Sequence, residues 1–221
     1  MADTAIQRLN MVESQVRPSD VVDRRIPSAM LELPRESFVP EASQSVAYMD
    51  ELIRVGNTNG NARFLLPPRI LAKMIQHLEL EPTDLVLDVG CASGYGTAVI
   101  ARIAQTVVGL ECDAGLAEHA TAALAAVDVD NAAVITGSLP DGHAPEGPYD
   151  AILINGAVSE LPAPLLDQLK DGGRLVAIML EDGFGRCKQW RRLDQTFDNR
   201  WLFDAAAPLL PGFEPVAEFV F

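Results

Sequence analysis

Nowhere in this 221-residue chain does an apolar run approach the ~20 residues of a membrane-spanning helix, so no membrane partner is expected. The opening stretch MADTAIQRLNMVESQVRP carries acids and amides where a secretory segment would be apolar, and no signal peptide is expected. Cysteine is scarce. Cys91, Cys112 and Cys187 are odd in number, far apart and without metal-ligand spacing, which argues against a disulfide framework and for reduced thiols in a cytoplasm. Histidine is as rare: His77, His119 and His143 form no i, i+4 pair, so no metal is expected. Basic residues are outnumbered 17 to 31, and a net charge of −14 leaves little to neutralise phosphates, so nucleic acid is not an expected partner. The one basic concentration, Arg186, Lys188, Arg191, Arg192 and Arg200, is interrupted by Asp194 and Asp198 and reads as a solvated hairpin face. Trp190 and Trp201, in the same region, read as cross-strand packing.

What is present is enough apolar material, 48% of residues, to build one large core in a chain of single-domain length. Residues 1–68 are expected to form a helical cap followed by a loop, and residues 69–221 an α/β core. Ile6, Leu9, Val12 and Val16 recur near helical spacing up to Pro18, and Asp20 is placed to cap a second helix containing Val22, Ile26, Met30 and Leu31. Pro34 to Pro40 reads as extended, and Glu51 to Pro68, rich in Asn and Gly, as a loop. After a helix from Pro68 to His77 the texture alternates between strands and helices. Parallel strands are expected at Leu85–Asp88, Val107–Glu111, Ala133–Thr136, Ala151–Asn155 and Arg174–Leu180. A helix near Leu161–Leu169 should end at Gly172-Gly173. Cys187–Leu193, Arg200–Ala205 and Val216–Phe221 read as antiparallel strands beyond the parallel set. The fold class is therefore α/β: a doubly wound, mostly parallel, Rossmann-like sheet with antiparallel C-terminal edge strands.

The segment Leu85 to Thr97, LVLDVGCASGYGT, carries the most chemistry. An apolar strand runs into Asp88, then Gly90, Gly94 and Gly96, and a helix begins, so the backbone can turn sharply and approach a ligand closely. Open α/β sheets bind ligands at this edge. Dinucleotide sites use G-x-G-x-x-G to seat a pyrophosphate; here the order is D-x-G-x-x-x-G-x-G. That pattern resembles the S-adenosylmethionine-dependent methyltransferases, whose ligand offers an amino group to an acid such as Asp88. The resemblance puts Gly90, Cys91, Ala92 and Gly94 in the cofactor cradle, with Tyr95 either at the methionine end or packed on the first helix. Glu111 ends the next strand, 23 positions after Asp88, where an acid can accept both ribose hydroxyls. Cys112 either rests against the adenine or packs inertly. Ser138, followed by Leu139, stands where an acid usually meets the adenine amino group. Asn155 lies at the fourth strand's end, in Asn155-Gly156-Ala157, without the double proline and aromatic of many amino-group methyltransferases.

The ordered set of motifs resembles the protein-L-isoaspartate O-methyltransferases over roughly residues 10–210: MVESQVRP (Met11–Pro18), IPSAMLELPRESFVP (Ile26–Pro40), AYMDE (Ala47–Glu51), DVGCASGYGTAV, and YDAILINGAVSELPAPLLDQLKDGGRLV (Tyr149–Val176). Cap residues Arg17, Pro34, Arg35 and Asp50 belong to this set. The resemblance implies methyl transfer from S-adenosylmethionine, leaving S-adenosylhomocysteine, to a carboxylate of an isoaspartyl or D-aspartyl peptide. One segment departs from it. The family's Gly-x-Gly-Gln-Thr-Ile-Ser loop ends in a Ser that faces the reacting carboxylate; here Arg63, Phe64, Leu65 and Leu66 fall at the last four places, and the loop is longer. Arg63 is then either a carboxylate clamp in place of the hydroxyl, with Thr58, Asn59 and Asn61 adding hydrogen bonds, or a solvated loop residue. The alternatives are another acceptor, such as a different protein carboxylate or a small acid, and a diverged cofactor-binding regulatory protein.

Overall fold

A computed structural model describes residues 4–58 and 60–214. In chain order its helices and strands are α1 (Thr4–Met11), α2 (Arg25–Glu32), β1 (Ile53–Thr58), β2 (Asn61–Leu65), α3 (Pro68–Gln76), β3 (Leu85–Val89), α4 (Tyr95–Ala101), β4 (Thr106–Glu111), α5 (Ala114–Ala126), β5 (Ala132–Thr136), β6 (Tyr149–Val158), α6 (Ala163–Asp167), β7 (Leu169–Glu181), β8 (Phe184–Leu193) and β9 (Thr196–Asp204). The main sheet has the order β5-β4-β3-β6-β7-β8-β9, parallel through β7 and antiparallel beyond it. Strand order reverses between β3 and β6, and that switch point is where an open α/β sheet offers a crevice. Alternation along the strands splits the core in two. Val86, Leu153 and Val176 join the cluster with α3, α4 and the cap, while Leu87, Val89, Ile152 and Ile154 join one with Leu165 and Leu210.

The fold class and the α/β alternation are as the sequence implies, but several local expectations need correction. Of the expected apolar face, Val12 and Val16 are buried, but Ile6 and Leu9 are exposed, and Met11 is buried in their place. A wide π-turn over Val12–Val16 follows α1 and rotates the buried face away from the one a regular 3.6-residue period selects. Asp20 does not cap a helix: it sits at φ +61°, and α2 starts at Arg25, with Val22 exposed. Arg35–Phe38 is a 3₁₀ turn, not an extended segment. Ile53–Thr58 and Asn61–Leu65 pair as an antiparallel hairpin where a loop is expected. Gly172-Gly173 falls in an irregular stretch of β7, while α6 has already ended at Asp167. The expected strand Val216–Phe221 lies outside the described residues.

Arg35 shows how the cap is fastened. It is wholly buried; its Nε donates to the Ala47 carbonyl and its Nη2 to the Leu66 carbonyl, each at 2.8 Å. The guanidinium stacks 4.6 Å from the Tyr95 ring centroid, and Phe38 meets that ring edge-on. The basic C-terminal face is paired, as a solvated hairpin would be: Arg191 and Arg200 on Glu79, Arg186 and Lys188 on Glu181. Trp190 packs against the core, whereas Trp201 is exposed.

Candidate active site

Two carboxylates end two adjacent parallel strands, Asp88 on β3 and Glu111 on β4, and both are fully buried. Asp88 accepts from the Thr97 hydroxyl at 2.7 Å and, across the switch point, from Asn155 Nδ2 at 3.2 Å. Asn155 and Gly156 are placed there by a bulge in β6 between Leu153 and Ala157. Burial outweighs these donors and pushes the Asp88 carboxyl up to about 6. Between the two acids runs the glycine turn. Gly90 sits at φ +75°, and a Cβ there would stand 3.0 Å from Leu210 and 3.4 Å from Arg63 Nη2. At Gly96 a Cβ would come within 2.5 Å of Asn155 Nδ2. The backbone thus needs glycine to keep this face of the turn open.

Glu111 has every acceptor position taken. Its Oε2 receives Arg63 Nη2 at 2.6 Å and the Ala92 N–H at 2.8 Å. Its Oε1 receives the N–H groups of Cys112 at 3.0 Å and Asp113 at 3.3 Å, together with the Cys112 thiol. Arg63 is 3% exposed, which rules out a solvated loop residue, and its Nη2 also reaches the Gly90 carbonyl at 3.3 Å. Thr58 is buried as well, its hydroxyl donating to Asp113, the residue that caps α5. Arg63 and Thr58 are therefore brought to the strand ends at the switch point by the hairpin. Asn61 is exposed, and Asn59 lies outside the described residues.

The other expected residues scatter around this centre. Cys91 is buried, with its thiol pushed up by burial, and Cys112, half-buried, is pushed up to about 11; neither is a ready thiolate. Gly94 starts α4 at φ +90°. Tyr95 packs into the cap, on Phe38 and Arg35. Ser138 is exposed beyond β5, whereas Leu139 is buried. Among the described residues no group of His, Cys, Asp or Glu could hold a metal ion.

Leu210 and Thr97 are not singled out by sequence. Thr97 lies inside the glycine motif, and its place in the first turn of α4 is the signal that its hydroxyl can reach back to Asp88. Leu210 has no local signal. It reaches the site because Pro208–Leu210 pairs with Ala157, so its side chain lies over Gly90 and Gly156. Ala62, Arg63, Leu66, Asn155 and Leu210 line a small cleft beside the glycine turn. It amounts to about 210 Å³ even counting the open mouth, below the roughly 300–1,000 Å³ of small-molecule sites.

The family model of the protein-L-isoaspartate(D-aspartate) O-methyltransferases matches residues 7–200. The chain belongs to that family. Among its relatives, the protein-L-isoaspartate O-methyltransferase of Methanoculleus marisnigri is 40% identical over 171 residues, covering 77% of this chain and 76% of that one. The Roseiflexus sp. enzyme of the same name is 40% identical over 174 residues, covering 79% and 78%. A solved protein-L-isoaspartate O-methyltransferase superposes with a TM-score of 0.83 at 23% identity, over 93% of this chain and 66% of its own. A Plasmodium falciparum protein assigned to the same family, solved in complex with S-adenosyl-L-homocysteine, superposes at 0.77 with 21% identity, over 95% and 99%. The family frame therefore spans the cap, the hairpin and the sheet of this chain. Among the described residues no helix is long and apolar enough to cross a membrane.

Proposed function

We propose that the protein transfers a methyl group from S-adenosylmethionine to a carboxylate of an isoaspartyl or D-aspartyl residue in a peptide or protein, in the cytoplasm. The observation that carries this is the pair of buried acids at adjacent strand ends, flanking a turn whose glycines leave its ligand face clear. Asp88 suits the cofactor's ammonium group, and Glu111 the two ribose hydroxyls, once an oxygen is freed. Gly90, Cys91, Ala92 and Gly94 form the cradle, Cys112, Ser138 and Leu139 stand on the adenine side, and Asn155 steadies Asp88. Three free thiols, two of them buried, fit a reducing compartment.

When bound, S-adenosylmethionine supplies a methyl group on a sulfonium. The acceptor carboxylate is ionised at neutral pH and needs no general base. The protein's work is then to position the acceptor in line and to exclude water. The β1–β2 hairpin lies over the strand ends where this must happen, and Arg63 and Thr58 are the residues on it suited to a carboxylate. Loss of the family's loop Ser favours a second reading, in which the acceptor is another protein carboxylate or a small acid.

The test is methyl transfer from labelled cofactor to an isoaspartyl peptide, with the matched aspartyl peptide as control. Selective labelling supports repair of damaged peptides. Cofactor binding without selective labelling removes that acceptor and leaves the second reading or a regulatory, non-catalytic role. No cofactor binding sinks the whole proposal.

A further inference from the structure

Glu111, the acid assigned above to the cofactor's ribose, is already held by the protein's own cation. Glu111 and Arg63 form a buried pair, 0% and 3% exposed, at 2.6 Å. A ribose diol brings two donors and needs two acceptor positions, and Glu111 has none to spare. Three of its donors, the N–H groups of Ala92, Cys112 and Asp113, are fixed in the backbone of the turn and the strand end. The other two are on side chains that can turn away: the weak Cys112 thiol and Arg63, the strong donor, whose hold is incomplete because its Nε is buried without a partner. Gly56 faces Arg63 across the hairpin, and a Cβ at Gly56 would meet Leu116 at 3.0 Å, so the hairpin lies tightly on α5.

Resting on the cofactor assignment above, we propose that Arg63 is a positioning residue that acts as a counter-ion latch: it neutralises Glu111 in the free protein and is exchanged for the cofactor's ribose. The exchange keeps the acid from standing buried and unpaired, which is the costly state. It also makes cofactor affinity a difference between two ligands of one carboxylate, the protein's own guanidinium and the incoming diol.

Arginine side-chain NMR on the wild-type protein, with the Arg63 signal assigned by its absence from Arg63→Lys, reads the exchange directly. The free protein should show a restricted, solvent-protected guanidinium that becomes mobile and exchanging when S-adenosylhomocysteine is added. A guanidinium signal that stays restricted in the loaded protein overturns the latch while leaving the cofactor assignment intact. Calorimetry gives the second arm. Arg63→Met should bind S-adenosylhomocysteine at least fivefold more tightly than wild type, and equal or weaker binding overturns the proposal. Should Arg63→Met fail to fold, the wild-type NMR result decides alone. If the wild-type protein binds no S-adenosylhomocysteine at all, the latch and the function proposed above fall together.

Discussion

The substitution Asp88→Asn should make the protein more stable while removing its cofactor. The Asp88 carboxyl has a pKa of about 6 in the fold against 3.8 for an unperturbed group. The folded state therefore keeps a proton that the unfolded chain has released between about pH 4 and pH 6. Stability falls as pH rises through that window and is flat above it. Two units at roughly 1.4 kcal/mol each give about 3 kcal/mol of penalty, carried in full at neutral pH. An amide carries none of it. The amide also fits the same contacts, since its oxygen can accept from Asn155 while its nitrogen donates to a rotated Thr97 hydroxyl. Urea denaturation at pH 7.5, 6 and 5 should show the variant ahead by up to about 3 kcal/mol at the highest pH, with the gap closing toward pH 4. Calorimetry with S-adenosylhomocysteine should show binding lost, because the ammonium's partner is gone. A variant less stable than wild type at pH 7.5, or a gap that does not change with pH, would refute this account of Asp88.

The same titration acts on affinity in the wild-type protein: S-adenosylhomocysteine should bind roughly tenfold more weakly at pH 5 than at pH 7.5, by calorimetry, because Asp88 must first ionise. Glu111→Gln leaves the Arg63 guanidinium buried without a counter-charge, and denaturation curves should show a loss of about 3–5 kcal/mol together with lost cofactor binding. In Gly90→Ala the new methyl meets Leu210 at a residue with φ +75°, so a loss of about 1–2 kcal/mol is expected along with greatly reduced S-adenosylhomocysteine affinity in a protein whose circular dichroism is unchanged.

The cofactor edge is legible in the sequence because its chemistry sits at the ends of apolar runs. Leu85–Val89 and Thr106–Glu111 are short hydrophobic strands that stop at the switch point, and their acids can be paired by spacing alone. The hairpin is not legible. Its Asn and Gly content reads as turn material, and its strands are only partly buried, so no clean alternation marks them. Nor can the partner of Arg63 be read from sequence, since Glu111 lies 48 positions away and the pair forms only when the hairpin folds onto the sheet. In the cap Val12 and Val16 are read correctly as buried, but Ile6 and Leu9 are not, because a wide turn at Val12–Val16 breaks the single period on which the reading depends.

Arg35 has a consequence for how the hairpin can change. Ala47 precedes β1 and Leu66 follows β2, and one planar guanidinium holds both carbonyls. The two ends of the segment are pinned at a fixed separation, so the hairpin can pivot but cannot slide. Added length is best absorbed at the tip, and changes near the base must contend with a charge that has nowhere else to go.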